Sequence, residues 1–368
     1  MVDLLKNAYN NCKVEEWLEW NDNRYVKLTE LGLRGTDPNC LDFLETTITM
    51  SDEATHQLFS GFIGSGKTTE LKQLAHRLEQ KHYTVVFVDT EDYLNLRVPA
   101  TITDLWITIA AGVDRFLGQK NGHPRFWEKF HKFLTTTKVD VNKLTVGIPE
   151  CTQLEMTFKK DADFKRKLDD ALEGRRPELL QECRNFLEEG IAKITKDFYS
   201  QGTVLILDSF EKLRGDLHNA ERVVQSVETI FIRDWKHLRT PCHAIYTVPP
   251  WMIFMEAGAA SEFGRIHVLP MCKVYDPETG NPYQKGVDGM LDILAKRMDV
   301  DAIFGNRSAL VPLVTASGGY TRDLLRMVRE VLARGNGRGD PPDLEFPAVP
   351  VYRPYPTGVR RAVRYGPQ

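Results

Sequence analysis

Residues 58–71 read LFSGFIGSGKTTEL. The apolar run up to Gly61 predicts a strand, a glycine-bearing loop follows, and Lys67, Thr68 and Thr69 open a helix that runs to about Gln80. Gly61 to Thr68 match the phosphate-binding loop pattern G-x-x-x-x-G-K-[ST]. Gly64 and Gly66 let the backbone curl so that successive N–H groups face one anion, and the positive end of the new helix dipole points the same way. A triphosphate such as ATP fits this loop. Gly61, Gly64, Ser65, Gly66, Lys67, Thr68 and Thr69 are therefore the candidate nucleotide-binding residues. Lys67 would reach the β- and γ-phosphates, and the Thr68 hydroxyl would hold Mg²⁺ together with a carboxylate from elsewhere in the chain.

That carboxylate is found in QGTVLILDSFEKLRG (201–215). Thr203 to Leu207 read as a buried strand that delivers Asp208 to its carboxyl end, the place of a Walker B metal ligand. Glu211 lies three residues on and is a candidate to polarise an attacking water, although a solvated helix acid would look the same in sequence. Two more strands fit a parallel sheet. TVVFVDT (84–90) ends in acids, and HAIYTV ends in the polar Thr247. A further strand, 265–271, begins at Arg265. Strands alternating with helices predict an α/β fold, a parallel sheet sandwiched between helices.

Further outward, RYVKLTELG (25–33) alternates like a strand or extended segment, with Tyr25 and Val26 noted as weak base-contact candidates. TITDLWITIAAGVDRFL (101–117) reads as a helix capped by Thr101 or Thr103, and 218–238 as another. From Gly118 to Ser200 charged amphipathic segments suggest a helical insertion, with a short hairpin at VDVNKLTVGIP. Within it, KKDADFKRK is flanked by acids and reads as a solvated helix face. Residues 277–335 form a small helical region in which Gly318 and Gly319 turn the chain into a last helix bearing Arg322 in its first turn. A cation is disfavoured there unless an anion faces it. The expected boundaries are a lead-in at 1–45, a P-loop domain at 46–275 containing the insertion at about 118–200, a helical lid at 276–335 and a tail at 336–368. The tail carries seven of the 19 prolines and, beyond Phe346, Arg353, Arg360, Arg361 and Arg364 without an acid.

Composition excludes other classes. A net charge of −3 with 27% charged residues over 368 positions gives no global basic excess, so nucleic acid could be gripped only by a local patch such as the tail. No signal-peptide pattern and no membrane-spanning apolar run is present, which leads to the expectation of a cytoplasmic chain with no membrane partner. Six scattered cysteines lack metal-ligand spacing and read as reduced buried thiols.

With these elements the chain resembles the AAA+ class of P-loop ATPases. GFIGSGKTTEL and VVFVDTEDYLNL are similar to the GxxGxGKSTEL and EDYLNL signatures of a bacterial group in its initiator-like and STAND-like branches. SGGYTRDLLRMV is similar to a sensor 2 helix, and YTVP takes the sensor 1 place. The resemblance implies Lys67, Thr68 and Asp208 on phosphates and Mg²⁺, and Thr247 as sensor 1. It further implies Arg322 as sensor 2 on the γ-phosphate and Arg265 as a finger acting across a subunit interface. Most relatives of this class place glutamate directly after the Walker B aspartate. Here Ser209 stands there, and the spacing to Glu211 is closer to the STAND pattern, which implies slow hydrolysis. The expectation is a nucleotide-controlled assembly switch: a homo-oligomer that controls a separate effector protein, with bacterial defence as one setting. The alternative is a DNA-dependent ATPase of the initiator or transposition-regulator type. A small-molecule kinase would need an acceptor pocket with its own base, and the sensor-like last helix speaks against that.

Overall fold

The computed structural model describes residues 2–34, 40–121, 126–136, 151–172, 174–215, 218–255 and 263–335. The proposed hairpin at 139–149 and the arginine-rich tail lie outside the described residues. Five strands, β1 (His56–Gly61), β2 (Tyr83–Asp89), β3 (Gly202–Asp208), β4 (His243–Val248) and β5 (Ile266–Leu269), form one sheet in the order β2-β3-β4-β1-β5, and every pairing is parallel. The P-loop strand β1 and the Asp208 strand β3 are thus separated by β4, which ends beside both.

Residue type dictates which face each strand residue covers, because successive side chains point to opposite sides. Val204 and Ile206 of β3 join Phe59, Val85 and Ile245 in one core, closed by the helices Cys40–Thr49 and Lys67–Gln80. Leu205 and Leu207 join Leu58, Val86, Val88 and Tyr246 in the other, larger core. This second core is closed mainly by the helices Ile102–Asn121 and Arg176–Phe198. Burial on both faces is why TVLIL reads as a continuous apolar run. The helix Ile102–Asn121 starts in a reciprocal cap: the Asp104 N–H donates to Thr101 Oγ1 at 3.2 Å and the Thr101 N–H to Asp104 Oδ2 at 2.9 Å.

The insertion contributes the helices Phe126–Thr136, Cys151–Lys160, Ala162–Ala171 and Arg176–Phe198. Aromatic rings cluster among its apolar positions, with Phe126 5.8 Å from Phe130 and 5.3 Å from Phe186 between ring centroids. The run KKDADFKRK is not wholly a solvated face. Lys165 is buried, 3.1 Å from Asp104 and over the ring of Phe158.

By compactness the described residues of 40–63 and 67–269 make one unit, and those of 1–39, 64–66 and 270–368 another. The second unit has its own core, in which Leu5 and Ala8 of the helix Val2–Asn11 join Met290, Leu294, Leu324 and Val328. Two sequence expectations change. Residues 25–33 form consecutive turns with bonds such as Leu33 N–H to Leu28 O at 3.1 Å and pair with no strand among the described residues. The helix expected at 218–238 is Ala220–Glu228 followed by a π-turn, Thr229–Arg233, and a short 3₁₀ turn, Trp235–Leu238.

Two strand histidines, His267 buried and His56 half-buried, set an acid limit on stability. Burial pushes His56 of β1 down to about 4, and burial with the neighbouring Arg265 charge pushes His267 of β5 down to about 4. Both are neutral in the fold and gain protons on unfolding, so stability is complete above the unfolded value near 6.5 and is lost as pH falls towards 4. At pH 5 the expected loss is about 2 kcal/mol per histidine. His267→Phe, which keeps a ring against Phe43, should shrink the drop in denaturation midpoint between pH 7 and 5 by roughly half of the two-histidine total. An unchanged drop would show that His267 is not responsible.

Candidate functional site

The loop between β1 and the helix Lys67–Gln80 has the backbone that the glycine pattern requires. Gly64 and Gly66 take φ +93° and +96°, a region open to glycine and costly for other residues. A Cβ at Gly64 would also stand 2.9 Å from Cβ of Arg322. Lys67 begins the helix and is 3% exposed. Its ammonium donates to the Gly61 carbonyl at 2.8 Å and the Phe62 carbonyl at 3.1 Å, and it pairs with Glu211 Oε1 at 3.0 Å. The Thr68 hydroxyl donates to Asp208 Oδ2 at 2.6 Å. Thr69 follows, half-buried in the first turn.

Asp208 is fully buried at the end of β3, directly across from Asp89 at the end of β2. Burial first, then the Glu211 charge, pushes its carboxyl up to about 6, and burial raises Asp89 as well. Glu211 sits in the short turn Phe210–Lys212, 6% exposed, facing Lys67. The solvated-acid alternative therefore does not describe it. Ser209 makes the turn possible by taking a left-handed backbone, φ +69° and ψ 0°. Thr247, buried at the end of β4, accepts the Phe210 N–H at 3.1 Å through its hydroxyl oxygen and so fixes the turn that carries Glu211.

The fold thus brings Gly61, Lys67, Thr68, Asp208, Glu211 and Thr247 to the carboxyl end of the sheet, the end where open α/β sheets hold ligands. Arg265 is not among them. It is exposed and precedes β5, whose Ile266 is level with Leu58, so it stands at the amino end of the strands. Arg322 begins the helix Thr321–Gly335, reached through Gly319, where a Cβ would meet the Cys272 carbonyl oxygen at 1.9 Å. One residue escaped the sequence reading. Arg34, 4% exposed, donates from Nη1 to the Ser65 carbonyl and to the Pro270 carbonyl, both at 2.9 Å. Nothing local in GLRGTD marks it, because its partners are 31 and 236 positions away.

The residues present suit a nucleotide with Mg²⁺. Asp208 Oδ1, Glu211 Oε2 and the Ser65 hydroxyl are buried without a hydrogen-bond partner among the described residues. Buried oxygens are rarely left unmatched, and an oxygen-seeking cation beside a carboxylate and a threonine hydroxyl would satisfy the carboxylates. Asp208 and Thr68 would hold Mg²⁺, and the loop from Gly61 to Thr69 would hold the phosphates.

No protein-family model and no curated protein matches the chain. Among solved structures, it is similar to the ORC2 protein of Aeropyrum pernix in ADPNP and ADP complexes, with 12% identity and a TM-score of 0.42. That match covers 83% of this chain and 64% of the other. It is also similar to Cdc6p of Pyrobaculum aerophilum, with 13% identity, a TM-score of 0.39 and coverage of 81% and 60%. A third likeness is to Drosophila ORC bound to AT-rich DNA and Cdc6, with 12% identity, a TM-score of 0.37 and coverage of 91% and 41%. The chain spans less than two thirds of each. Its own sheet, loop and flanking helices make it an α/β protein of the P-loop NTPase fold.

Proposed function

We propose that the chain is an AAA+-like ATPase that binds ATP with Mg²⁺, hydrolyses it slowly and uses the nucleotide to control its own assembly and the recruitment of a separate effector protein. The observation that carries this reading is the buried pairing of Lys67 with Glu211 beside Thr68 and Asp208. Mg²⁺, which Thr68 and Asp208 would hold, would supply positive charge against that of the phosphates. Lys67 has two claimants, the Glu211 carboxylate and the phosphates. As Lys67 turns to the phosphates, Glu211 is released to orient a water and take its proton, held in place by the Thr247 bond to the Phe210 N–H. Tying the base to the phosphate-binding lysine makes it available only in the nucleotide complex, which suits a switch better than a motor. The Asp208, Ser209, Phe210, Glu211 spacing supports the STAND-like branch, and bacterial defence is the setting proposed for it.

The test is the size of the purified chain by electron microscopy with a non-hydrolysable ATP analogue, with ADP and with neither. Larger assemblies in the analogue alone are expected. Identical particles in all three conditions would overturn the switch. The DNA-dependent reading rests on the four tail arginines. It would take over if DNA bound with a loss of about 10³–10⁵ in affinity between 50 and 200 mM salt, the mark of several neutralised phosphates.

A further inference from the structure

A trans peptide unit is planar, so the carbonyl of one residue and the N–H of the next point in opposite directions. Orienting one orients the other. In the phosphate-binding loop the Ser65 carbonyl is held at 2.9 Å by Nη1 of Arg34, a side chain 4% exposed. The N–H it thereby turns away is that of Gly66, whose φ of +96° leaves the peptide on its amino side easily flipped unless something fixes it. The same Nη1 also grips the Pro270 carbonyl at 2.9 Å, so the guanidinium is anchored rather than swinging with the loop. Nη2 lies 3.5 Å from where a Cβ of residue 66 would be, which puts that nitrogen beside Gly66.

We propose that Arg34 is a positioning residue of the nucleotide site: by fixing the Ser65 carbonyl it aims the Gly66 N–H into the phosphate cradle. The inference rests on the P-loop binding a nucleotide. It gives arginine a reason to be there, since its rigid planar head grips both carbonyls through Nη1 while Nη2 rests beside Gly66, a placement that a lysine ammonium on a flexible stem does not reproduce.

The test compares wild type with Arg34→Met, which keeps the stem and removes every donor, and with Arg34→Lys. ATP affinity is measured by calorimetry, the Gly66 amide is followed by NMR on ¹⁵N-glycine protein with ATP added, and turnover is measured at saturating ATP. Arg34→Met should bind ATP about 10–100-fold more weakly, the range for losing a hydrogen bond from a charged donor. Arg34→Lys should recover part of that affinity. The ATP-induced shift of the Gly66 amide should be much reduced in Arg34→Met, while turnover at saturation changes far less than KM. Wild-type affinity and a wild-type Gly66 shift in Arg34→Met would overturn the proposal. So would a loss in which turnover falls in step and Arg34→Lys is no better, since that is ordinary structural support. If wild type itself does not bind ATP, the nucleotide reading fails first and this proposal with it. Should Arg34→Met not fold, Arg34→Gln replaces it under the same criteria.

Discussion

Mixed in equal amounts, Arg265→Ala chains and Lys67→Ala chains should regain the concentration-dependent rise in ATP hydrolysis that neither shows alone. The reason is geometric. Ile266 is level with Leu58 on β1, and the P-loop begins beyond Gly61, so Arg265 lies at the opposite end of parallel strands from its own chain's site. Four to five residues of strand at about 3.3 Å each put roughly 15 Å between the two backbones. The guanidinium cannot therefore reach its own chain's phosphates, and a finger at this position must serve a neighbour. Such fingers neutralise charge that builds on the transferring phosphoryl group and are worth about 10³–10⁵ in rate. Arg265→Ala should accordingly bind ATP normally, hydrolyse at the basal rate, and lose the rise in activity per chain with concentration that wild type shows in phosphate-release assays. In the mixture one partner supplies an intact P-loop and the other an intact finger. If the mixture lacks that rise while each variant still assembles with wild type, Arg265 has no role in trans and belongs to the sheet edge alone.

The second large effect is in the Lys67→Ala chain itself, which should lose measurable ATP binding in calorimetry and also melt earlier. Two causes act together. Without the ammonium the β- and γ-phosphate charge is uncompensated, and Glu211, with a side chain 3% exposed, keeps its charge in a buried place with no partner at 3.0 Å. Breaking a buried pair by removing one member costs about 3–5 kcal/mol. The double variant Lys67→Ala with Glu211→Gln removes the stranded charge, so it should regain most of the melting temperature and none of the ATP affinity. Recovery of both would mean that the lysine serves the fold and not the nucleotide. Recovery of neither would mean that the pair is not what Lys67→Ala disrupts.

What was legible in the sequence was local. LFSGFIGSGKTTEL and TVLILD announce strand, loop and acid because their periods and their glycines are constraints on a few consecutive residues, and β1, β3 and the helix Lys67–Gln80 follow them closely. The alternation in RYVKLTELG reads as a strand for the same reason, yet the segment folds into consecutive turns, since period alone does not supply the partner that a strand must pair with. The helix expected at 218–238 is interrupted at Thr229–Arg233, where contacts far along the chain and not a local period decide the register. The π-turn shifts the register so that Phe231 reaches the rings of Phe210 and Tyr246, at 5.4 and 6.0 Å. Arg34 was hidden because its meaning lies wholly in carbonyls far along the chain. The engagement of Lys67 by Glu211 was hidden because sequence spacing tells which acids are near a strand end, not which base they face.

The left-handed turn at Ser209 bears on what this lineage and a protein engineer can reach. The usual acid directly after the aspartate would have to leave the backbone at φ +69° on a side chain that is 1% exposed and faces Asp89, alongside Asp208 and Glu211. A fourth carboxylate in that space would repel the other three. Placing an acid at 209 is therefore not one codon away: the turn, the acid at 211 and the residue at 209 would have to change together. On the proposed reading, slow turnover is held in place by the shape of the main chain as much as by the choice of side chain.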